Sequence, residues 1–538
     1  MKSEPDAAPF LSAGSTGTVA APASRPARPR GARLVLRADG GPAIGLGHVS
    51  RLLALAEILR ADFVELLFVA RASAALEELL QLAGLPLRML PALAPAAEAD
   101  WLRRHVLRAT DVMVLDGYTF DFGYQRALRD LVHRLVCLDD LHAFPFAADV
   151  VLNPAGGVVA ADYELRQPGA RLLAGPAFAP LRAAFQSPEP LPTDTLAVAG
   201  EAEAPADSAV VLLCLGGADP QQRAPQLAGQ LLALPAPAVR ELHVVVGAAY
   251  AGWEALREWA AAQPRLRLRR ALPAAELAAL MRRCGSAILS PSTVSYEYCA
   301  TGGGLLFTFP TADNQHDLDH FLRGAGLALP ASSAANVLTA TEAPQLAIQL
   351  RAAQRRRFDG QAPTRLRQAF AAVQLPRPAF QLRAVQAADS DLLLTWTNDP
   401  AVRHASFSPD PVSRATHEAW LRARLMDPQA LLLLAEDDVT RAPLGLIRFQ
   451  LADEAATLSY QLAPEWRGQG LAALLLRAGT EAVTTHFAGL RRLRGHVRAD
   501  NLASVRAFER AGFWEELASG APDRRDGPAG SLTFVWIV

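Results

Sequence analysis

Short apolar runs alternate with longer amphipathic stretches in two successive series, and this alternation restricts the chain to a small set of folds. Strands that are separated by helices pair in parallel and need helices on both faces of their sheet. The apolar runs of the first series are 34–36, 64–69, 112–115, 135–138 and 150–152. Those of the second series are 210–215, 242–246, 266–269, 287–289 and 304–309. We therefore predict two doubly wound, Rossmann-like α/β units.

Changes in composition mark the borders of these units. The first residues are rich in Ala, Pro and Ser and lack periodicity, which predicts a disordered tail. After the second unit the pattern changes to strand, helices and then several strands around one Gly-rich turn, which predicts an α+β domain. The predicted division is a tail at 1–31, a first unit at 32–185, a linker at 186–208, a second unit at 209–373, a linker at 374–378 and the α+β domain at 379–538.

Charge and hydropathy argue against several classes of protein. Lys and Arg number 53 and Asp and Glu number 54, and the formal net charge of −1 disfavours a broad nucleic-acid or anionic-membrane surface. No apolar run approaches the roughly 18 residues of a membrane span, and the N-terminus lacks the apolar core of a signal peptide. The four cysteines form no C-x-x-C pair. We expect a cytoplasmic protein that binds neither nucleic acid nor membranes.

The segment RADGGPAIGLGHVSRLLALAEILR at 37–60 is the most informative part of the first unit. Gly45 and Gly47 let the backbone turn sharply and approach a ligand, and the helix that follows points unpaired N–H groups at it. The helix dipole there favours the neutral form of His48, which can deprotonate a water in a cleft. A capping role for His48, with glycines that serve only the turn, explains the pattern equally well.

Polar or glycine residues also follow two other predicted strands. Tyr118 lies just beyond the apolar run of VLDGYTFD, and Gly216 and Gly217 follow that of LCLGGADP. Because ligands favour the crevice at the carboxyl ends of parallel strands, we expect these residues near a ligand. Two glycines suit backbone contact with a phosphate, although an ordinary strand-to-helix turn would also contain them.

The second unit contains a further set of candidate ligand contacts. SPSTVSYEYCATGGG opens a helix with Ser292 and Thr293, whose hydroxyl and N–H groups can hold a diphosphate. Glu297, one helical turn later, can accept both hydroxyls of a ribose; a capping box with a solvated Glu is the alternative. Asn314 and Gln315 follow the next strand and can contact sugar substituents. No His, Asp or Glu cluster has convincing ligand spacing, so we predict no metal.

These motifs occur in the same order as in the sugar-nucleotide hydrolases of the pseudaminic-acid pathway, which the chain resembles over about 32–340. The resemblance implies a GT-B fold and hydrolysis of UDP-2,4-diacetamido-2,4,6-trideoxy-β-L-altropyranose to UDP and the free sugar. It implies His48 as the catalytic residue, a sugar site lined by Asp39, Tyr118 and Asn314, and a UDP site at Ser292, Thr293 and Glu297.

The last domain contains LSYQLAPEWRGQGLAALLLRAG at 458–479, which predicts a strand, a turn and a helix. Arg467-x-x-Gly470-x-Ala472 resembles the acyl-CoA pyrophosphate signature of the GCN5-related N-acetyltransferases (GNAT), in which successive backbone N–H groups surround the diphosphate. VRADNLASVRAFERAGFWEE at 497–516 resembles the second half of that signature. The implied acetyl-CoA contacts are Leu462, Arg467, Gly468, Gln469, Gly470, Leu471, Ala472, Asn501 and Ser504, with the Leu462 N–H polarising the thioester.

The start of this domain resembles the ribosomal-protein acetyltransferase group, which includes the 4-amine acetyltransferase of the pseudaminic pathway. The matching positions are Trp396, Asn398, His417 and Trp420, whereas Thr397 stands where Arg is common. Asn398 and Arg403 can contact the acceptor, with a structural cap as the alternative, and core packing is favoured over a catalytic role for His417. Many acetyltransferases of this fold use a Tyr to protonate the departing thiolate, and that position is Phe508 here. Tyr460 or water can substitute, so the sequence leaves this role unassigned.

Together the resemblances predict a bifunctional enzyme. The first two units would hydrolyse the UDP-activated deoxyamino sugar, and the last domain would transfer acetyl from acetyl-CoA to the 4-amine of a UDP-4-amino-4,6-dideoxy-sugar. Other enzymes of that pathway are conceivable partners. Two alternatives stay open: a GT-B glycosyltransferase with an appended acetyltransferase, and a protein N-acetyltransferase whose front half is a nucleotide-sugar sensor.

Overall fold

The structure is a computed structural model. It describes residues 32–40, 46–71, 73–167, 169–186, 207–216, 219, 221–248, 250–376, 379–516, 528 and 531–537. The predicted tail at 1–31, most of the predicted linker at 186–208, Gly45 and Gly217 therefore lie outside the described residues.

The first unit is a seven-stranded parallel sheet with helices between its strands. Its elements are β1 (Arg33–Arg37), α1 (Gly47–Leu59), β2 (Glu65–Arg71), α2 (Ala74–Leu82), β3 (Leu87–Leu90), α3 (Pro95–His105), β4 (Val112–Asp116), α4 (Phe122–Arg129), β5 (Arg134–Leu138), β6 (Val150–Asn153) and β7 (Arg171–Ala174). The strand order β3-β2-β1-β4-β5-β6-β7 is doubly wound. The central strands β1 and β4 are buried along their whole length, because helices cover both faces of the sheet.

The second unit repeats this architecture with six parallel strands in the order β10-β9-β8-β11-β12-β13. Its elements, with the helices that follow it, are β8 (Asp207–Cys214), α5 (Ala224–Leu232), β9 (Glu241–Val246), α6 (Trp253–Ala261), β10 (Leu266–Arg270), α7 (Ala274–Arg283), β11 (Cys284–Leu289), α8 (Thr293–Ala300), β12 (Leu305–Thr308), α9 (His316–Gly324), β13 (Leu329–Pro330), α10 (Ala334–Thr339), α11 (Ala343–Arg357) and α12 (Ala362–Val373). Both units therefore have the predicted α/β layout.

The two units exchange segments, so their packing borders differ from the predicted ones. Residues 179–185 were assigned to the first unit by sequence, yet Leu181 belongs to an apolar core of the second unit. Helix α12 follows the second unit in sequence, yet Leu366 and Phe370 belong to the core of the first unit. The chain therefore enters the second unit after Phe178 and returns to the first at α12.

The last domain has the predicted α+β composition. Its elements are β14 (Phe380–Ala384), α13 (Ser390–Thr397), α14 (Pro400–Ala405), α15 (Arg414–Met426), β15 (Ala430–Asp437), β16 (Pro443–Ala452), β17 (Ala455–Leu462), α16 (Leu471–His486), β18 (Arg492–Arg498), α17 (Leu502–Ala511), β19 (Trp514–Glu515) and β20 (Ser531–Ile537). The sheet order is β14-β15-β16-β17-β18-β20-β19, and β17 and β18 are its parallel pair. Apolar clusters cover both of its faces.

The last domain packs on the first unit. Helix α17 lies against α12, and the rings of Phe178 and Trp514 meet edge to face at 5.5 Å. The Arg171 guanidinium of β7 stacks on the indole of Trp536 in β20, with its carbon 3.2 Å from the ring centroid. These contacts place α12 between the core of the first unit and the last domain.

Candidate active sites

A hydrogen-bonded cluster at the carboxyl end of the first sheet centres on His48. His48 is the second residue of α1, and its Nδ1 lies 2.7 Å from Asp116 Oδ1 at the end of β4. Arg51, one turn further along α1, donates from Nη2 to Asp116 Oδ1 (2.7 Å) and from Nη1 to Asp140 Oδ2 (2.8 Å). Burial lowers the pKa of Arg51, but the two carboxylates outweigh it and the pKa is raised. The Arg51 guanidinium therefore stays charged although it is buried.

This arrangement gives His48 a defined orientation. Nδ1 lies 2.7 Å from Asp116 Oδ1 and 2.9 Å from Arg51 Nη2. The bond to the carboxylate requires the tautomer with its proton on Nδ1, in which Nε2 is the acceptor nitrogen. None of the described residues hydrogen-bonds Nε2. The side chain is only 7% exposed, and the Tyr118 ring meets it edge to face at 4.6 Å. In that tautomer His48 keeps one ring nitrogen without a partner among the described residues.

Tyr118 connects this cluster to the second unit. Asn314 Nδ2 donates to the Tyr118 hydroxyl (3.0 Å), and that hydroxyl donates to Asp140 Oδ2 (3.3 Å). Burial, followed by the charge of Asp140, raises the pKa of Tyr118 to about 12. Three of the predicted site residues, His48, Tyr118 and Asn314, therefore come together, although they lie far apart in sequence.

The predicted phosphate contacts of the second unit also meet, at the carboxyl ends of β8 and β11. Ser292 precedes α8 as its N-cap residue, but its side chain makes no capping bond; its Oγ lies 3.1 Å from Ser290 Oγ. Thr293 is the first residue of α8. Gly216 has φ +88°, and a Cβ there would lie 3.5 Å from Ser290 Oγ. A helix start with uncommitted N–H groups and an available hydroxyl suits an anion.

Two other predicted contacts have protein partners. Arg182 donates to Glu297 Oε1 from both Nε (3.0 Å) and Nη2 (2.7 Å), and burial raises the pKa of Glu297 although Arg182 counteracts it. Gln315 Oε1 accepts from the backbone N–H of Thr311 within its own turn. These bonds engage one oxygen of each side chain, and no described residue hydrogen-bonds Glu297 Oε2 or Gln315 Nε2, so their contacts with a ligand stay predictions.

Asp39 belongs to a separate ionic cluster. Its carboxylate receives two bonds from Arg37, at 2.6 and 2.8 Å, and one from the backbone N–H of Arg71. Burial opposes ionisation, but the hydrogen bonds and charge of Arg37 keep the pKa of Asp39 below its usual value. Both carboxylate oxygens of Asp39, a predicted sugar contact, therefore already accept hydrogen bonds from Arg37 or Arg71.

The sequence identified His48, and it placed Asp116 at the carboxyl end of a buried strand. It did not predict that the two pair or that Arg51 and Asp140 join them. Arg51 follows His48 by three residues, and residues at that spacing share a helix face. Asp116 ends a central strand beside β1, and Asp140 follows β5. Polar residues at the carboxyl ends of adjacent strands were therefore the available signal.

In the last domain a cavity of about 730 Å³ opens between β17 and β18. The parallel pairing of these strands ends at Leu458 and Gly495, while both strands continue. The Ala463 N–H donates to Leu444 O of β16. Because successive residues of a strand point their N–H groups to opposite sides, the N–H of Leu462 points away from β16, toward the opening, where the sequence predicted a donor to the thioester.

The predicted pyrophosphate loop lies at the mouth of this cavity. Gly468 and Gly470 have φ +77° and +80°, and Gly470 is the N-cap of α16, whose first residues are Leu471 and Ala472. Their N–H groups have no carbonyl one turn earlier, so they are available to a phosphate. Gln469 Nε2 donates to the carbonyl of Glu465 in the same turn.

The loop is held in place by Arg467. Its Nε donates to Leu462 O (3.1 Å) and its Nη1 to Asp399 Oδ1 (2.8 Å). Burial opposes ionisation of Asp399, but the bond from Arg467 holds its pKa below the usual value. On the other wall Asn501 caps α17 by accepting from the Ser504 N–H at 3.1 Å.

The charge of this cavity is strongly one-sided. Six arginines are among its described lining residues, and no Asp or Glu is: Arg403, Arg448, Arg467, Arg498, Arg506 and Arg510. Arg448 donates to Ser459 Oγ at 2.5 Å and lies over the Trp420 ring at 5.0 Å. It makes no ion pair with any described carboxylate.

Two residues of the predicted acceptor region have structural roles. Asn398 bridges a loop, because its amide donates to Val412 O and accepts from the Val412 N–H, both at 2.8 Å. His417 is buried beside Trp420, and burial lowers its pKa. Both arrangements agree with the structural alternatives that the sequence left open.

The described part of the chain has neither a metal-binding cluster nor a helix suited to crossing a membrane. No group of three or more His, Cys, Asp or Glu side chains is arranged to hold a metal ion there. No helix there combines the length and apolarity that crossing a membrane requires.

Comparison with known proteins identifies the last domain. Residues 380–514 match the family model of the acetyltransferase (GNAT) domain. No curated protein matches the chain. Among solved structures, spermidine N-acetyltransferase from Vibrio cholerae with CoA and spermine is 20% identical over 30% of this chain and 95% of its own, with a TM-score of 0.26. AAC(6')-Ib with paromomycin and acetyl-CoA is 18% identical over 30% and 94%, with a TM-score of 0.25.

A domain from Methanocaldococcus jannaschii is 13% identical over 30% of this chain and 98% of its own, with a TM-score of 0.26. The family match covers the strands, loop and helices that form the arginine-lined cavity. The C-terminal part of this chain is therefore a GNAT-type N-acetyltransferase domain with acetyl-CoA as its co-substrate.

Proposed function

We propose that the chain is a bifunctional enzyme of nucleotide-sugar metabolism, with a GT-B hydrolase in front of the acetyltransferase. The hydrolase would release UDP from a UDP-linked diacetamido deoxy sugar. The observation that carries this proposal is the pairing of His48 with Asp116 beside Tyr118, which is hydrogen-bonded to Asn314 of the second unit. A base and two sugar-type contacts thus converge at the carboxyl ends of parallel strands, where such folds bind ligands.

In this reaction His48 is the general base. Its Nε2 removes a proton from a water, and the water oxygen attacks the anomeric carbon while the bond from that carbon to the diphosphate oxygen breaks. Asp116 stabilises the imidazolium that forms, and it keeps the ring oriented. Tyr118 and Asn314 are polar groups suited to positioning the sugar.

The leaving UDP needs stabilisation of the negative charge that develops on its diphosphate. The N–H groups at the start of α8, together with Ser292 and Thr293, can supply this without a metal. Preorganised donors of this kind each contribute roughly 10²–10³ in rate in other enzymes.

For the acetyltransferase we propose an anionic acceptor, a UDP-linked amino sugar whose 4-amine is acetylated. The arginine-rich, carboxylate-free lining of the cavity supports this. A polycation such as spermidine would meet six arginines, of which Arg467 and Arg498 are paired with the carboxylates of Asp399 and Asp500 behind the lining; the remaining surplus of positive charge costs binding energy. A diphosphate instead finds Arg448, which has no carboxylate partner among the described residues.

The hydrolase proposal is tested by UDP release without an acceptor, followed by chromatography with mass detection. The wild type should convert the UDP-diacetamido altrose derivative to UDP and free sugar, and His48→Ala should not. His105→Ala is the matched control, because His105 is exposed on α3. Release that requires an added sugar or lipid acceptor would establish a glycosyltransferase instead.

The acceptor proposal is tested by thiol release from acetyl-CoA with three amines: the UDP-4-amino-4,6-dideoxy-sugar, spermidine and a peptide with a free N-terminus. Turnover with the UDP-sugar alone is expected. Preferential acetylation of the peptide would support the alternative of a protein N-acetyltransferase, and preference for spermidine would overturn the charge argument.

A further inference from the structure

The position at which many GNAT enzymes carry an acidic Tyr holds a side chain that has no proton to give. Phe508 is 2% exposed and stacks on Phe534 at 5.2 Å. A Cβ at Gly495 of β18 would lie 2.4 Å from its ring, so the ring lies directly on that strand. The departing thiolate of CoA therefore needs another proton donor.

Tyr460 enters the same region from the opposite wall. It lies on β17 beyond the last residue paired with β18, and its ring lies 5.9 Å from that of Phe508. Its hydroxyl donates to Ser504 Oγ at 3.1 Å, one helical turn before Phe508 on α17. Both hydroxyls line the cavity between the splayed strands.

Strand geometry puts Tyr460 on the side of the cofactor. Side chains alternate along a strand, so Tyr460 shares a face with Leu458 and Leu462, which pack in the same apolar cluster as α16 and α17. Ser459 points to the other face, where it bonds Arg448 near Trp420. The other titratable group on the wall of this opening, His496, borders that second face as well.

We propose that Tyr460 is the general acid that protonates the CoA sulfur, with Ser504 as the positioning residue for its hydroxyl. This inference rests on the acetyltransferase activity of the domain and not on the identity of the acceptor. The amine nitrogen forms a bond to the thioester carbonyl carbon, and the C–S bond breaks. The sulfur takes the phenolic proton of Tyr460, and the proton released by the new amide nitrogen returns to the phenolate through Ser504 Oγ or water.

The surroundings support this role. Burial raises the pKa of Tyr460, although the bond with Ser504 counteracts it, so the phenol keeps its proton at neutral pH. The charged side chains that line the cavity are arginines, with His496 as the remaining titratable group. Their charge favours a thiolate while the phenol delivers its proton.

The test uses the product complex of the full chain and needs no acceptor. The pKa of the bound CoA thiol is measured from thiolate ultraviolet absorbance, with the desulfo-CoA complex as the blank. A hydrogen bond to a charged group is worth about 1.5–3 kcal/mol, which corresponds to about one to two pKa units. We expect the bound thiol of Tyr460→Phe to have a pKa higher by that amount than in the wild type, with CoA affinity at low pH changed less than about threefold.

The variant Ser504→Ala distinguishes the effect of the Tyr460 hydroxyl from that of the Ser504 hydroxyl. It retains the phenol but removes the partner that positions it, so the thiol pKa should rise by clearly less than in Tyr460→Phe. An unchanged thiol pKa in Tyr460→Phe would overturn the proposal, as would a rise in Ser504→Ala as large as that in Tyr460→Phe. If Tyr460→Phe does not fold, the pH profile of wild-type turnover decides, because the proposal requires activity to decline as the Tyr460 phenol ionises at alkaline pH, and an undiminished rate there would overturn it.

Turnover adds a second readout. With the UDP-amino sugar as acceptor, kcat of Tyr460→Phe should fall about 10²-fold or more while the KM for acetyl-CoA stays within about twofold. The wild type should lose activity at alkaline pH as the phenol ionises, and the variant should lack that decline. No turnover of this acceptor by the wild type would refute the proposed acceptor, whereas the thiol titration would still decide the role of Tyr460.

Discussion

Replacing Gly512 by Ala should destabilise the contact between the last domain and the rest of the molecule. Gly512 ends α17 with φ +92°, and an added Cβ would lie 3.0 Å from the Ala372 Cβ of α12 and 3.4 Å from the Trp536 ring. The Ala372 methyl cannot rotate away, so the two helices must separate by a few tenths of an ångström.

The expected loss in the free energy of unfolding has two contributions. A left-handed backbone conformation costs a non-glycine residue roughly 1–2 kcal/mol, and overpacking costs roughly 1–3 kcal/mol. Gly489 is the matched control, because its φ is +84° but a Cβ there meets nothing within 4 Å. Gly489→Ala should therefore lower the free energy of unfolding by about 1–2 kcal/mol and Gly512→Ala by about 2–5 kcal/mol.

The assay is guanidinium unfolding followed by tryptophan fluorescence, since Trp514 and Trp536 both lie at this contact. Ala372→Gly restores room for the added methyl, at a helix-propensity cost of about 1 kcal/mol. In a double-mutant cycle it should recover more than 1 kcal/mol of the Gly512→Ala loss. Equal destabilisation by the two alanine variants, with no recovery, would refute close packing between α12 and α17.

Three further predictions concern single side chains. Asp116→Asn should lower the rate of UDP release about 10²–10⁴-fold with UDP affinity unchanged by calorimetry, because His48 loses the carboxylate at Nδ1. Arg448→Met should raise the KM for an anionic acceptor about tenfold or more and leave that for acetyl-CoA unchanged, whereas Arg491→Met at the surface should change neither. The bonds from Arg383 hold the pKa of Asp389 below its usual value, so its stabilising effect is present above about pH 4 and is lost as the pH falls through the lowered pKa. The difference in unfolding midpoint between wild type and Asp389→Asn should therefore close below about pH 4.

The parallel sheets were readable from sequence because their central strands are buried on both faces and appear as continuous apolar runs. The same rule explains why two strands of the first sheet were not predicted. Strands β3 and β7 were missed because they lie at the sheet edges and mix apolar with charged residues, as in LRML and RLLA. Edge strands are covered less completely, so their pattern carries less information.

The site was only partly predictable for a different reason. A motif shows which residues follow a strand or begin a helix, and in this way it identified His48, Tyr118 and Asn314. A motif does not show which charged side chains form ion pairs in the folded chain. Glu297 lay where a ribose contact was expected, but Arg182 reaches it from a segment 115 residues earlier in the chain. Long side chains of distant segments decide which polar groups stay available to a ligand.

Helix α12 shows that the sequence also leaves open which unit a helix packs on. The sequence assigned residues up to 373 to the second unit because they follow it along the chain, but the helix crosses back to pack on α1. The acetyltransferase domain follows α12 directly and contacts that helix and the first unit. The Tyr118–Asn314 bond joins the two α/β units at the predicted sugar site. The acetyltransferase domain is instead attached through α12 and β7 to the first unit, so a helix that follows the second unit in sequence connects the two other parts of the molecule.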